Sequence, residues 1–185
     1  MIKALLKQGK RVGIMSNSHA AIMNLLMPLV TDQELSNTAC VKVGGYGTNQ
    51  TEFQTLYPPT NYPNFSYRPS MDFAAKQPYQ NFQLVGGTVF SFAKDLAYDY
   101  PLDYLFIDEA SQVALANLVA VSGAAKNIIL IGDQMQLEQP TQGSHPGDSG
   151  ASALEFMLQG HHVIPEHKGV LWKNPQKCSF CVKCL

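Results

Sequence analysis

The stretch Tyr104-Leu105-Phe106-Ile107-Asp108-Glu109-Ala110-Ser111-Gln112 decides how this sequence is read. Four apolar or aromatic residues followed by two adjacent carboxylates and a small, polar run describe a buried strand ending in an acidic loop. One carboxylate in that position can hold a hydrated Mg²⁺, and the next can orient and polarise an attacking water. Acidic pairs also end strands simply because loops are solvated. Their surroundings therefore decide the matter.

Downstream, the spacing predicts a helix within Gln112 to Val121 and a strand from Asn127 to Ile131. Gly132-Asp133-Gln134-Met135-Gln136-Leu137 follows, with Pro140 close behind. Gly and Asp there are ordinary turn formers. The uncharged amide of Gln136 can donate to phosphate and accept from water.

Upstream, a short helix is predicted up to Gly9, then a strand over Val12 to Met15 and the polar loop Ser16-Asn17-Ser18-His19. Ser16 and Ser18 are helix-cap residues, and Ile22, Leu25, Leu26 and Leu29 follow at helical spacing. A second strand, Cys40 to Val43, ends in Gly44-Gly45. Residues 48–83 then lose all periodicity and fill with Pro, Tyr, Asn and Phe, which reads as an insertion. Regular structure resumes at Leu84-Val85-Gly86-Gly87-Thr88. Strands alternating with helices imply an α/β fold with a parallel sheet, whose functional groups gather beyond the carboxyl ends of the strands. Ser16 to His19, Gly87-Thr88, Asp108-Glu109 and Gly132 to Leu137 all fall there.

Composition narrows the class without fixing it. The chain has 185 residues, 45% of them apolar, enough for one domain with a core. A formal charge of −1 lacks the basic excess of a strong nucleic-acid binder, so any such role must rest on motifs. No apolar run approaches the ~20 residues of a membrane helix. Lys3 and Lys7 interrupt the first residues, unlike a secretory signal, and a cytoplasmic location without membrane contact is expected. Of four cysteines, Cys178, Cys181 and Cys184 crowd the end of the chain, unlike a secreted disulfide framework.

Taken together, Asp108-Glu109-Ala110-Ser111-Gln112 and Gly132-Asp133-Gln134-Met135-Gln136-Leu137 resemble motifs II and III of superfamily 1 helicases. Arg11-Val12-Gly13-Ile14-Met15-Ser16-Asn17-Ser18-His19 resembles motif Ia, and Gly86-Gly87-Thr88 with Phe90-Ser91 resembles motif Ic. Leu115 to Ala120 and Gln142 to Gly150 are similar to a bacterial superfamily 1B group whose chains usually join a RecB-like nuclease to the motor. The resemblance covers roughly residues 5–171. It implies a RecA-like P-loop nucleoside-triphosphatase sheet with helices on both faces and an inserted lobe at about 48–83. It further implies ATP and Mg²⁺ as cofactors, with Asp108 holding the metal through water and Glu109 as the water-activating base. Gln136 would contact the γ-phosphate, with Gln112 and Asp133 helping to bind nucleotide. Ser16, Asn17, Ser18, His19, Gly87 and Thr88 would meet single-stranded DNA or RNA.

A phosphate-binding loop requires Gly-x-x-x-x-Gly-Lys-Ser/Thr, and these 185 residues contain no such run. Gly9-Lys10 is the only Gly-Lys pair, and Arg11 follows it. The family pattern places that loop before the motif Ia strand and a second RecA-like domain after residue 171. The expectation is therefore a partial domain over 1–171, inactive by itself in ATP hydrolysis, with the phosphate-loop strand and second domain absent. Residues 172–185 depart from the pattern. They read either as a frameshifted, truncated or disordered end, or as part of a metal site using Cys178, Cys181 and Cys184.

Overall fold

A computed structural model describes residues 1–46, 50–71, 78–132, 152–158, 169–174 and 177–183. Its centre is the predicted strand set, extended by one strand, Phe65–Arg68, that was not expected. β1 (Val12–Met15), β2 (Cys40–Val43), β3 (Phe65–Arg68), β4 (Leu84–Gly87), β5 (Tyr104–Ile107) and β6 (Ile128–Gly132) lie parallel in the order β3-β2-β4-β1-β5-β6. This is the parallel α/β sheet expected from the alternation of strands and helices, and the RecA-like arrangement that the resemblance implies.

Period-two alternation gives each strand two apolar faces, as a doubly covered parallel sheet demands. Val12 and Ile14 of β1, Leu84 of β4 and Phe106 of β5 enter one core layer, with α2 (His19–Val30) supplying Ile22 and Leu26. Met15, Val85, Leu105 and Ile107 enter the opposite layer. There they meet Phe92 of α4 (Val89–Phe92), Ala97 of α5 (Asp95–Asp99) and Val121 of α6 (Leu115–Val121). A short α1 (Ile2–Lys7) and α3 (Gln50–Leu56) put Leu6 and Phe53 into the α2 layer. α7 (Ala153–Leu158) puts Ala153 and Leu154 into the other.

Two parts of the chain go beyond what the sequence suggested. Within the stretch expected as an insertion, β3 pairs in parallel with β2 and so extends the sheet. The aromatic residues of this stretch turn inward: Phe65, Tyr67, Tyr79 and Phe82 are buried. Phe53 stacks on Tyr67 with ring centroids 5.1 Å apart and meets Phe65 edge-on. These rings anchor the segment to the sheet, while Tyr57 and Tyr62 stay half-buried. At the other edge, β7 (Gly169–Asn174) and β8 (Lys177–Lys183) form an antiparallel pair, with β8 beside β6. The boundary expected at residue 171 falls within β7.

Arg11, at the entry to β1, ties together the edge opposite the carboxyl ends. Its backbone N–H donates to Asp103, while its guanidinium donates to the carbonyls of Phe82, Tyr100 and Tyr79 and lies 4.6 Å from the Tyr79 ring centroid. No helix among the described residues is long and apolar enough to cross a membrane.

Candidate functional site

The winding of the sheet places the site. From β1 the chain crosses through α2 toward β2, whereas from β5 it crosses through α6 toward β6, on the other side. Since β1 and β5 are neighbours, the crossovers diverge between them and leave a crevice at their carboxyl ends, where ligands of such folds bind. The loops after these two strands are Ser16 to His19 and Asp108 to Gln112.

Register brings specific residues level. Met15 pairs with Gly87 on one side and Ile107 on the other, so Thr88, Ser16 and Asp108 follow in one rank across β4, β1 and β5. Two hydrogen bonds join the central loops: Asp108 N–H donates to the Met15 carbonyl at 2.8 Å, and the Asn17 amide to the Gln112 carbonyl at 3.1 Å. Asn17 and Gln112, expected to serve nucleic acid and nucleotide respectively, are thus mechanically linked.

Asp108 is half-buried, and desolvation raises its pKa, partly offset by the Glu109 backbone N–H. It makes no ion pair among the described residues. The buried hydroxyls of Ser16 and Ser111 have no hydrogen-bond partner among those residues either. A desolvated carboxylate with hydroxyls on the flanking turns is an oxygen-only donor set suited to hydrated Mg²⁺. The residues therefore fit that ion. Among the described residues no group of three or more His, Cys, Asp or Glu could form a denser metal site.

Glu109 has φ 53 and ψ 44, and it is the only non-glycine residue with positive φ among those described. A left-handed conformation costs an L-residue roughly 1–2 kcal/mol, and such strain collects where the surroundings over-determine it. Here the surroundings are visible. The kink starts a tight turn in which Gln112 N–H donates to the Glu109 carbonyl, sending Ala110 and Ser111 inward while Glu109 stays half-exposed. Gly132, closing β6, lies against the same turn: a Cβ there would stand 3.1 Å from Ala110 N and 3.2 Å from Ser111 N. At an ordinary position Ala outlasts Gly by about 0.5–1 kcal/mol. Glu109→Gly is expected to reverse that order and exceed Glu109→Ala by about 1 kcal/mol in urea denaturation. An alanine variant of equal or greater stability would contradict the left-handed turn.

The residues expected to meet nucleic acid separate into three kinds. Ser18 and His19 are exposed, with the Ser18 hydroxyl accepting from Ala21 N–H to cap α2. Thr88 is half-buried at the start of α4, where its hydroxyl makes no capping bond. Ser16 and Gly87 are buried, Ser16 being only 1% exposed, so their side positions present nothing at the surface. Asp133 and Gln136 lie outside the described residues.

Residues 64–144 match the family model of an AAA domain. That span holds Thr88, the acidic pair with Gln112, and both Asp133 and Gln136, and it leaves Ser16 to His19 outside. The AAA domain match agrees with the RecA-like sheet. No curated protein matches the chain.

One residue of the rim was not anticipated. Lys42 of β2 is fully buried, and its Nζ stands 2.9 Å from His19 Nδ1. Burial lowers its pKa to about 8. His19 is held below its ordinary value first by desolvation and then by the Lys42 charge. A lysine inside the otherwise apolar run Cys40-Val41-Lys42-Val43 was the available signal.

Proposed function

We propose that this chain is part of an ATP-dependent helicase or translocase of the superfamily 1B type, carrying the Mg²⁺-binding and water-activating side of the nucleotide site. The observation that supports it best is the rank of Thr88, Ser16 and Asp108 on three adjacent strands, with the loops after β1 and β5 bonded together at the crevice. Asp108 would hold the metal through water, Glu109 would orient and deprotonate the attacking water, and Gln136 would sense the γ-phosphate. When bound, Mg²⁺ would neutralise charge on the transferring phosphoryl group. Ser18, His19 and Thr88 would touch the backbone of single-stranded DNA or RNA, with Asn17 transmitting between the two loops.

The grip on the β- and γ-phosphates has no counterpart in these 185 residues, which lack the glycine-lysine loop. A second RecA-like domain and a RecB-like nuclease are the partner domains this reading implies. The chain alone is expected to show no ATP turnover above background, with or without single-stranded oligonucleotide. A robust rate abolished by Glu109→Gln would overturn the missing-grip account. Such a rate would require a different phosphate-binding element.

A second reading, a non-catalytic domain that binds single-stranded nucleic acid, is favoured by the exposed Ser18 and His19 beside the half-buried Thr88 at the rim. Binding that falls with salt and ignores ATP would select it. For a metal site built on the terminal cysteines, the remaining cysteine is a poor fourth ligand. Cys40 is buried in β2, and burial pushes its thiol up to about 12.

A further inference from the structure

All four residues of β2 are buried, and Lys42 is 0% exposed. None of the ion pairs among the described residues includes it. A cation in such a place is normally paired or replaced by an apolar side chain. Lys42 instead carries its stem along the strand and ends among neutral acceptors at the rim. Its Nζ donates to the Val43 carbonyl at 2.8 Å and the Gly44 carbonyl at 2.9 Å, and it lies 2.9 Å from His19 Nδ1.

That arrangement fixes the histidine's protons. The two carbonyls take two of the three ammonium hydrogens, and the third points to Nδ1. An ammonium has no lone pair, so Nδ1 is the acceptor and the neutral ring carries its proton on Nε2. The ring is also seated. Gly44 and Gly45 have φ of +72° and +105°, and a Cβ on Gly45 would stand 2.8 Å from His19 Cγ. Nε2 lies on the far side of the ring from Lys42, and His19 itself is exposed.

We propose that Lys42 is a positioning residue that locks His19 as an Nε2–H donor toward a backbone phosphate of single-stranded nucleic acid. This rests on the nucleic-acid reading of the rim given above. Phosphate suits the place because a fixed donor stands beside a buried positive charge that no carboxylate among the described residues neutralises. One fixed donor without neighbouring base-reading groups favours backbone over sequence. The role differs from a direct lysine contact, since Lys42 spends all three donors inside the protein.

Long-range ¹H–¹⁵N correlation spectra of the full chain near neutral pH would assign the His19 tautomer. Binding of a fluorescent fifteen-nucleotide oligo(dT) over a range of salt would measure the consequence. The Nε2–H pattern is expected in the wild type, with loss of that single pattern in Lys42→Met. His19→Ala and Lys42→Met are each expected to weaken binding about tenfold, the effect of one charge-assisted hydrogen bond. Lys42→Met should keep the wild-type salt slope, whereas a lysine that met phosphate directly would lower it by about one. An Nδ1–H pattern in the wild type overturns the proposal whatever the binding shows, and that measurement needs no variant to fold. Oligonucleotide binding left unchanged by His19→Ala, an exposed substitution, also overturns it. An Nε2–H ring in a wild-type chain that binds no oligonucleotide overturns the phosphate assignment together with the reading of the rim, and leaves the Lys42–His19 geometry standing.

Discussion

Lys42→Met is expected to stabilise the fold by about 2–3 kcal/mol at pH 7, although it removes three hydrogen bonds. Burial lowers the Lys42 pKa from 10.5 to about 8, while the unfolded chain keeps the ordinary value. Between those values the unfolded chain holds a proton that the folded one has released, so wild-type stability rises with pH over about 8 to 10.5. Below pH 8 the cost of the buried charge is fully present. At 1.36 kcal/mol per pKa unit the gap corresponds to ~3 kcal/mol, and the Gly44 carbonyl, whose bond to Lys42 is only partly buried, can turn to water once Lys42 is gone, which reduces the loss from broken hydrogen bonds. Urea denaturation of both proteins at pH 7 and pH 10.5 checks this. The variant's advantage should nearly vanish at the higher pH. Taking the difference also removes the opposing contribution of Tyr46 and Tyr79, whose raised pKa values of about 12 make the wild type lose stability above pH 10. A Met variant less stable than wild type at pH 7 would contradict the cost assigned to the buried charge.

Arg11→Ala is expected to cost about 3 kcal/mol, the largest loss anticipated from any single polar side chain away from the rim. Its guanidinium serves the carbonyls of Tyr79 and Phe82 in one segment and of Tyr100 in another, both far from Arg11 in sequence. Two of those bonds are partly buried, so their carbonyls lose a charged donor without free access to water. The contact with the buried Tyr79 ring adds ~0.5–1 kcal/mol. Arg11→Lys should recover only part of this, because an ammonium cannot span three carbonyls in a planar fork. Thermal or urea unfolding would rank wild type above Lys and Lys above Ala. Equal stability of all three would show that the segments are held by their apolar contacts alone.

These two cations show what the sequence made legible and what it did not. β1, β2 and β5 could be read to the residue because each is a short apolar run bounded by polar or glycine residues. The positions of Asp108 and Thr88 followed, since a parallel sheet sends all its carboxyl ends to one edge. β3 escaped notice because Phe-Ser-Tyr-Arg, at the sheet's edge and behind Pro63, carries only a weak alternation. The burial of Ser16 was equally hidden, as small hydroxyl residues cap helices, line cores and bind phosphates with the same composition. Lys42 read only as one residue of the strand Cys40 to Val43, and Arg11 as the first residue of the stretch resembling motif Ia. Their roles depend on which carbonyls and rings arrive from elsewhere in the chain, and tertiary placement alone supplies that. The left-handed turn at Glu109 was similarly invisible, because nothing in a glutamate announces positive φ.

The central claim is that the carboxyl-end rim faces single-stranded nucleic acid on one side and nucleotide chemistry on the other. Titrating oligo(dT) into the isotope-labelled chain and following backbone amide shifts tests it most directly. Shifts are expected to centre on Ser18, His19 and Thr88 and to spread through Asn17 to Gln112 and Asp108. They should weaken as salt is raised and leave the Arg11 edge unmoved. Shifts centred on the opposite edge, or none at oligonucleotide concentrations of about a millimolar, would contradict the account, since non-specific affinities in this class span ~10⁻⁴–10⁻⁶ M.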